Sequence, residues 1–260
     1  MKILLTNDDG IHSEGLLRLK KCLEIFGRVI VVAPDRERSG AGHASSINKT
    51  ISCKEMWSNK SSSGFALSGT PVDCVILGLT ELCEHEKPDM IVSGVNEGLN
   101  LGRDIFYSGT VGAAIEGSFR DIFSIAISID KQGESSPLYC SAIKAIEMVI
   151  NTIPLELCKK PHVLNINIPN VEYRNIKGIR LTKLAQVFHQ KFIKKIHQTN
   201  RTGYFWIEGS KPEGHLEENS DYWAICNNYI YITDVSLQLE GSENCQYSNL
   251  LEEWIRKLDL

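Results

Sequence analysis

Several things the chain lacks narrow its function before any motif is read. Its 260 residues include eight cysteines, at 22, 53, 74, 83, 140, 158, 226 and 245, yet no pair is spaced C-x-x-C. Neither a zinc knuckle nor a redox dithiol is therefore suggested, and free thiols are the simplest reading. No window reaches the roughly 18 consecutive apolar residues of a membrane span, so no membrane partner is expected. A basic excess is missing too: 28 Lys plus Arg face 32 Asp plus Glu, for a formal charge of −4. That balance argues against stable nucleic-acid binding. The opening Lys2-Ile3-Leu4-Leu5 shows no basic region leading into a long apolar one, so no signal peptide and a cytoplasmic location are expected. Finally, there is neither G-x-G-x-x-G in a strand–helix turn nor a Gly-Lys-Ser/Thr loop, which disfavours dinucleotide and P-loop ATP binding.

What the chain does contain is alternation. The apolar run at residues 2–6 reads as a strand covered on both faces. From Ser13 to Phe26 the spacing of Leu16, Leu19, Leu23 and Phe26 predicts a helix, with Ser13 and Glu14 at its start and Gly27 beyond its end. Arg28 to Ala33 is a second β-branched run, completing a βαβ unit with parallel strands. Helices are expected from Thr70, with Pro71 at the first helical position, from Gly109 to Phe119, and from about Leu138 to Ile153. Between them lie strands at Met90-Ile91-Val92, Phe123 to Ile129 and His162 to Ile168. Alternation of this kind predicts an α/β fold, a Rossmann-like doubly wound, mainly parallel sheet over residues 1–170. Residues 36–68 form an excursion with strands expected at Ile47 to Trp57 and Gly64 to Leu67. Residues 171–260 read as a β-rich extension, with strands near Ile179 to Leu184 and Tyr229 to Thr233 and a short helix at Asn249 to Leu258.

In a parallel sheet, ligands bind beyond the carboxyl ends of the strands. Four polar clusters fall there: Asn7-Asp8-Asp9-Gly10, Pro34 to Gly42, Ser93 to Gly102, and Tyr107-Ser108-Gly109-Thr110. Asp8 and Asp9 carry the sharpest signal. Adjacent carboxylates beside a buried strand repel one another and resist desolvation, so both stay ionised only beside a cation. The bland alternative is one Asp capping a helix and the other in solvent. Ser39 by itself reads as part of a flexible Gly/Ser loop, and Asn96 by itself as a turn former. Together, Asp8, Asp9, Ser39 and Asn96 offer only hard oxygen donors, a set suited to Mg²⁺ or Mn²⁺ rather than zinc. Ser108, Gly109 and Thr110 open a helix, where backbone N–H groups and hydroxyls make a phosphate cradle; ordinary helix capping is the competing reading.

Five segments in order, Asn7-Asp8-Asp9-Gly10-Ile11, Ala33 to Gly40, Gly69-Thr70-Pro71-Val72-Asp73-Cys74, Ser93-Gly94-Val95-Asn96, and Tyr107-Ser108-Gly109-Thr110-Val111-Gly112-Ala113-Ala114, resemble the motifs of the SurE family. The likeness resumes at Asn165-Ile166-Asn167-Ile168-Pro169 and Thr182-Lys183-Leu184. Tyr222-Trp223-Ala224 with Tyr229 to Thr233 resembles the family's C-terminal strands. The resemblance implies a metal-dependent phosphatase hydrolysing nucleoside 5′-monophosphates, with 3′-nucleotides and short polyphosphates as further candidate substrates. It implies one divalent ion per subunit on Asp8, Asp9, Ser39 and Asn96, with Asp8 and Asp9 catalytic, and a phosphate pocket lined by Asn100, Ser108, Gly109 and Thr110. It also implies an oligomerisation arm beyond residue 170 and a homodimer or homotetramer. Leu99 departs from the small residue more usual in the family, and residues 185–210 match it poorly.

Two other readings compete. An aspartyl-phosphate mechanism on Asp8 lacks the second carboxylate two residues on, where Gly10 stands. A non-catalytic nucleotide- or metal-binding protein would use the same pocket without turnover. His43 reads as a solvated or backbone-bonded loop residue, and the Lys- and His-rich stretch from His189 to Arg201 as a solvated face.

Overall fold

The computed structural model describes residues 1–83, 86–131, 137–186, 188–198, 202–213, 217–235 and 252–257. The first strand, β1 (Lys2–Thr6), sends Ile3 and Leu5 to one face and Leu4 to the other. The period-2 geometry of a strand thus puts apolar side chains into two separate cores, one on each side of the sheet. Helix α1 (Glu14–Leu23) covers the first face, with Ser13 accepting from the Leu16 N–H as its cap. It ends three residues before the Phe26 expected from periodicity, because Glu24 to Phe26 turn tightly to feed β2 (Arg28–Pro34).

The sheet then extends outward through β3 (Cys53–Ser58) and β4 (Ser62–Leu67). Strand β3 is shorter than the expected Ile47–Trp57, for a specific reason. The preceding segment is diverted to the start of α2 (Pro71–Leu77): Ser45 Oγ and Ser46 N donate to Asp73 Oδ1, and Thr70 Oγ1 donates to the Ala44 carbonyl. Thr70 and Asp73 also form a reciprocal capping box, so Asp73 satisfies donors from two segments at once. A π-helical turn at Gly78–Leu82 prolongs α2 to the Leu82 expected from its apolar spacing.

The chain next returns to the other side of β1. Strand β5 (Met90–Glu97) pairs parallel with β1, followed by a 3-10 turn Gly102–Tyr107, α3 (Gly109–Phe119), β6 (Ser124–Ile129), α4 (Tyr139–Thr152), α5 (Leu155–Cys158) and β7 (Val163–Ile168). Strand β8 (Ile179–Leu181) comes next. A hairpin of β9 (Phe188–Gln198) and β10 (Gly203–Glu213) forms its own two-stranded sheet. Helix α6 (Asp221–Cys226) and β11 (Ile230–Asp234) follow, and residues 252–256 are helical. The main sheet is nine-stranded, in the order β3-β4-β2-β1-β5-β6-β7-β11-β8. Its central six strands are parallel, while β3 and β11 join antiparallel. Residues 222–224, grouped above with C-terminal strands, are instead helical: Ser220 caps α6 by accepting from the Trp223 N–H, and only Ile230 onward is a strand.

Helices α1 and α4 pack together on one face, α2 and α3 on the other. The seven described cysteines are free thiols, as expected. Among the described residues no helix is long and apolar enough to cross a membrane.

Candidate active site at the sheet switch point

The chain leaves β1 toward β2 and β4, then comes back to start β5 on β1's opposite edge. Such a reversal leaves a crevice beyond the carboxyl ends of β1 and β5. The residues that follow β1 are Asn7, Asp8 and Asp9, and the end of β5 carries Asn96 and Glu97. A bulge prepares that end: Ser93 faces Ala126 and Asn96 faces Ser128, so β5 fits one extra residue against β6. Gly94 sits within the bulge at φ +141°, where an added Cβ would lie 2.4 Å from the Ile127 carbonyl oxygen. No other residue fits that backbone.

Asp8 is 3% exposed. Thr110 Oγ1 donates to its Oδ1 at 2.5 Å and the Thr110 N–H to its Oδ2 at 3.3 Å. Burial nevertheless pushes the Asp8 carboxyl above its usual range, outweighing those bonds. The first turn of α3 thus points at Asp8. Gly109 permits the approach, since a Cβ there would meet Asp8 Cβ at 2.9 Å. Ser108 accepts from the Val111 N–H, so it caps the helix while standing at the same edge. Of the expected phosphate cradle, then, Thr110 has its hydroxyl committed to Asp8 and Ser108 is engaged as the cap.

Asp9 is half-buried, and its Oδ2 is inaccessible with no hydrogen-bond partner. Its pKa rises to about 7, first because of burial and then because of the negative charges of Asp8, Glu97 and Glu37. The Glu97 peptide N–H faces Asp9 and favours its charged form, but does not offset these effects. An unpartnered carboxylate oxygen among like charges is an arrangement that a bound cation would stabilise.

Ser39 lies on the exposed loop after β2. That loop is anchored at both ends of the crevice: the Arg38 N–H donates to the Asp8 carbonyl at 2.7 Å, and the Gly42 N–H to the Tyr107 carbonyl at 3.0 Å. Ser39 Oγ donates to Glu37 Oε1 at 2.8 Å and retains its acceptor lone pairs. The Asn96 amide nitrogen donates to the Gly98 carbonyl at 2.7 Å, leaving Asn96 Oδ1 as the acceptor it can offer. Asn100 is 6% exposed and built into a buried polar network: its N–H donates to Asn167 Oδ1, its Nδ2 to Ser128 Oγ, and its carbonyl accepts from Asn165 and Tyr231. Asn100 is fixed there by residues 28 to 131 positions away.

Among the described residues no three His, Cys, Asp or Glu converge as a metal cage. A cation here would have to complete a carboxylate pair with hydroxyl and amide oxygens, which Ser39 and Asn96 supply; the donor set fits a hard divalent ion. Sequence reasoning missed Glu37, Glu97, Lys131 and Tyr139. Glu97 accepts from Tyr139 at 2.5 Å and from Lys131 Nζ at 2.9 Å, and these two bonds lower its pKa. Glu37 and Glu97 stand inside the motifs already singled out, and the clustering of acids around Asp9 was the available signal. Lys131 and Tyr139 carried none. His43 is an exposed loop residue, as expected, but its ring also pairs with Glu116 at 3.1 Å and packs edge-on against Phe119 on the flank of α3.

The family model described as Survival protein SurE matches residues 3–191. The 5′-nucleotidase SurE of Aquifex aeolicus (strain VF5) is 36% identical over 250 residues, covering 96% of this chain and 98% of that protein. The 5′-nucleotidase SurE of Thermosipho africanus (strain TCF52B) is 36% identical over 253 residues, 97% of each chain. The crystal structure of the SurE protein from Aquifex aeolicus superimposes with a TM-score of 0.77 at 35% identity, covering 97% of this chain and 100% of that one.

Proposed function

Because the chain belongs to the SurE family, we propose that it is a metal-dependent 5′-nucleotidase, hydrolysing nucleoside 5′-monophosphates to nucleoside and inorganic phosphate. It is a phosphoric monoester hydrolase. In this reading Asp8, Asp9, Ser39 and Asn96 hold one divalent ion, Mg²⁺ or Mn²⁺. The observation that carries the assignment is the buried, unpartnered Asp9 Oδ2 beside Asp8 at the switch point. When bound, the ion supplies positive charge against the phosphoryl oxygens and acidifies water.

The protein's own groups divide the remaining work. Thr110 fixes both Asp8 oxygens, so Asp8 is an oriented donor rather than a mobile base. Asp9, which has no such hydroxyl clamp, is the group assigned to orient the attacking water and take its proton. Asn100, Ser108, Gly109 and Thr110 line the phosphate pocket, Gly109 by letting the first turn of α3 close onto Asp8 and Asn100 as a wall held rigid from behind. The phosphoryl group passes in line to water, with no covalent intermediate; 3′-nucleotides and short polyphosphates are secondary candidates.

The same reading assigns residues 1–170 to catalysis and 171–260 to a β-rich arm and tail that oligomerise the protein as a homodimer or homotetramer in the cytoplasm. An exposed apolar row on the β9–β10 hairpin supports it: Ile193, Ile196, Tyr204, Phe205, Trp206 and Ile207 are each at least 57% exposed.

Phosphate release from nucleoside 5′-monophosphates, with and without a chelator, tests the function. Chelator-sensitive release lost in Asp9→Asn is the expected result. Release indifferent to both chelator and substitution overturns the metal assignment, and a phosphorylated Asp8 recovered from quenched turnover overturns direct transfer to water.

A further inference from the structure

We propose that Tyr139 and Glu97 form a strut that sets the divalent-ion affinity of the site by holding the end of β5 in its ligating position. The inference rests on the assignment of Asp9 and Asn96 as ion ligands. Glu97 follows Asn96 directly, and both lie just past the bulge in β5, where pairing with β6 resumes opposite Ser128 and Ile129 at the very end of the strand. Glu97 itself does not serve as a ligand. Tyr139 Oη donates to its Oε1 at 2.5 Å and Lys131 Nζ to its Oε2 at 2.9 Å, so the carboxylate is turned to these two partners and its charge is balanced by the lysine.

What the clamp fixes is the backbone. The Glu97 peptide N–H faces the Asp9 carboxylate, and the neighbouring Asn96 amide is turned back onto the Gly98 carbonyl. A shift of Glu97 would therefore move one group on Asp9 and the Asn96 oxygen together. Tyr139 is suited to the task because it is itself anchored. It is 5% exposed at the first residue of α4, and a Cβ on Gly15 would touch its ring and hydroxyl at 3.3 Å. Arg18 lies over its ring at 5.6 Å. The strut thus connects the α1–α4 layer to the crevice. Lys131 supplies the charge that lets a carboxylate stand beside Asp9, Asp8 and Glu37 without competing for the ion.

Groups that orient metal ligands typically change ion affinity by roughly 10- to 100-fold when removed. The test is a titration of the purified full chain with Mn²⁺, followed by calorimetry and by thermal shift, for wild type, Asp9→Asn, Tyr139→Phe, Glu97→Ala and Glu97→Gln. We expect Asp9→Asn to abolish the ion-dependent shift. Tyr139→Phe, which keeps every charge, should weaken Mn²⁺ binding about 10-fold with the ion-free melting temperature nearly unchanged. Glu97→Ala should weaken it more, and Glu97→Gln, which retains an acceptor for Tyr139, should recover part of the loss. With 5′-AMP the deficit should appear at low Mn²⁺ and close as the ion saturates, leaving kcat near wild type. Unchanged Mn²⁺ affinity in Tyr139→Phe and Glu97→Ala, with or without a lower melting temperature, overturns the strut while leaving the ligand assignment standing. A wild type that binds no Mn²⁺, or an Asp9→Asn that binds it normally, overturns both.

Discussion

Asp9 and Asp221 are both carboxylates largely withdrawn from water, one at the crevice and one beneath the C-terminal part of the sheet, and they are treated in opposite ways. Asp221 is fully buried at the start of α6. It accepts from the N–H groups of Gly102 at 2.8 Å, Ala185 at 2.8 Å and Tyr222 at 2.7 Å, bringing three separate segments together. Burial still raises its pKa over those bonds, but no oxygen is left without a donor. Asp9 has the Glu97 N–H in front of it, three carboxylates around it, and an orphaned oxygen. A carboxylate surrounded by donors holds a fold together; one surrounded by acids awaits a ligand.

The comparison breaks if the two residues respond alike to the same substitution. Asp9→Asn should lower kcat for 5′-AMP by about 10³-fold or more, as expected for loss of a combined ligand and base. Its ion-free melting temperature should hold or rise, since the change removes an uncompensated charge and such relief is worth about 1 kcal/mol. Asp221→Asn should do the reverse. An amide nitrogen would replace one acceptor and face a peptide N–H, at a cost of about 1–3 kcal/mol of stability, with turnover per folded molecule little changed. Chemical denaturation and steady-state assays on the pair decide it, and a destabilised Asp9→Asn with normal turnover would invert the interpretation.

Thr110 sharpens the comparison, because Asp8 lies between the two extremes: buried like Asp221 and beside the crevice like Asp9. Thr110→Val removes the hydroxyl donor and retains the shape. Loss of roughly 10- to 100-fold in kcat/KM is expected, together with about 1–2 kcal/mol of stability, since a buried acceptor loses its partner. Thr110→Ser should restore most of both. Full activity in Thr110→Val would mean that Asp8 needs no orienting bond.

The parts of this design that were legible in the sequence are the local ones. Apolar spacing located α1, helix–strand alternation placed α3 and α4, and Thr70-Pro71 announced the start of α2, though not the part Asp73 plays in its capping box. Asp8 and Asp9 were conspicuous because they are adjacent. Asp221, Tyr139 and Lys131 were not, because their partners lie 119, 42 and 34 residues away, and no local pattern encodes such distances. The shortening of β3 was equally hidden: Ile47 to Ser52 read as strand, and what draws the chain just before them aside is the unsatisfied start of a helix some 25 residues later.

Asp73 gives the smallest effect, and it extends the comparison to a carboxylate whose donors win. Burial raises its pKa, but donors from Ser46, Thr70 and Ser45 outweigh it, so the folded-state pKa lies below the ordinary value. The sign follows from linkage. Unfolded chains bind the proton first as pH falls, so the stabilisation is complete above the unfolded pKa of about 3.9 and is lost as pH drops through the folded value. Asp221, raised by burial, has the opposite dependence: it loses stability as pH rises from the unfolded toward the folded value. Thr70→Ala should cost about 1 kcal/mol at pH 7 by removing half of the capping box. Asp73→Asn should flatten the acid limb of the stability curve below about pH 4, whereas Asp221→Asn should steepen it. Melting temperatures of the two variants between about pH 3 and pH 5 measure this directly, and parallel curves would show that neither carboxylate is charged as its donors imply.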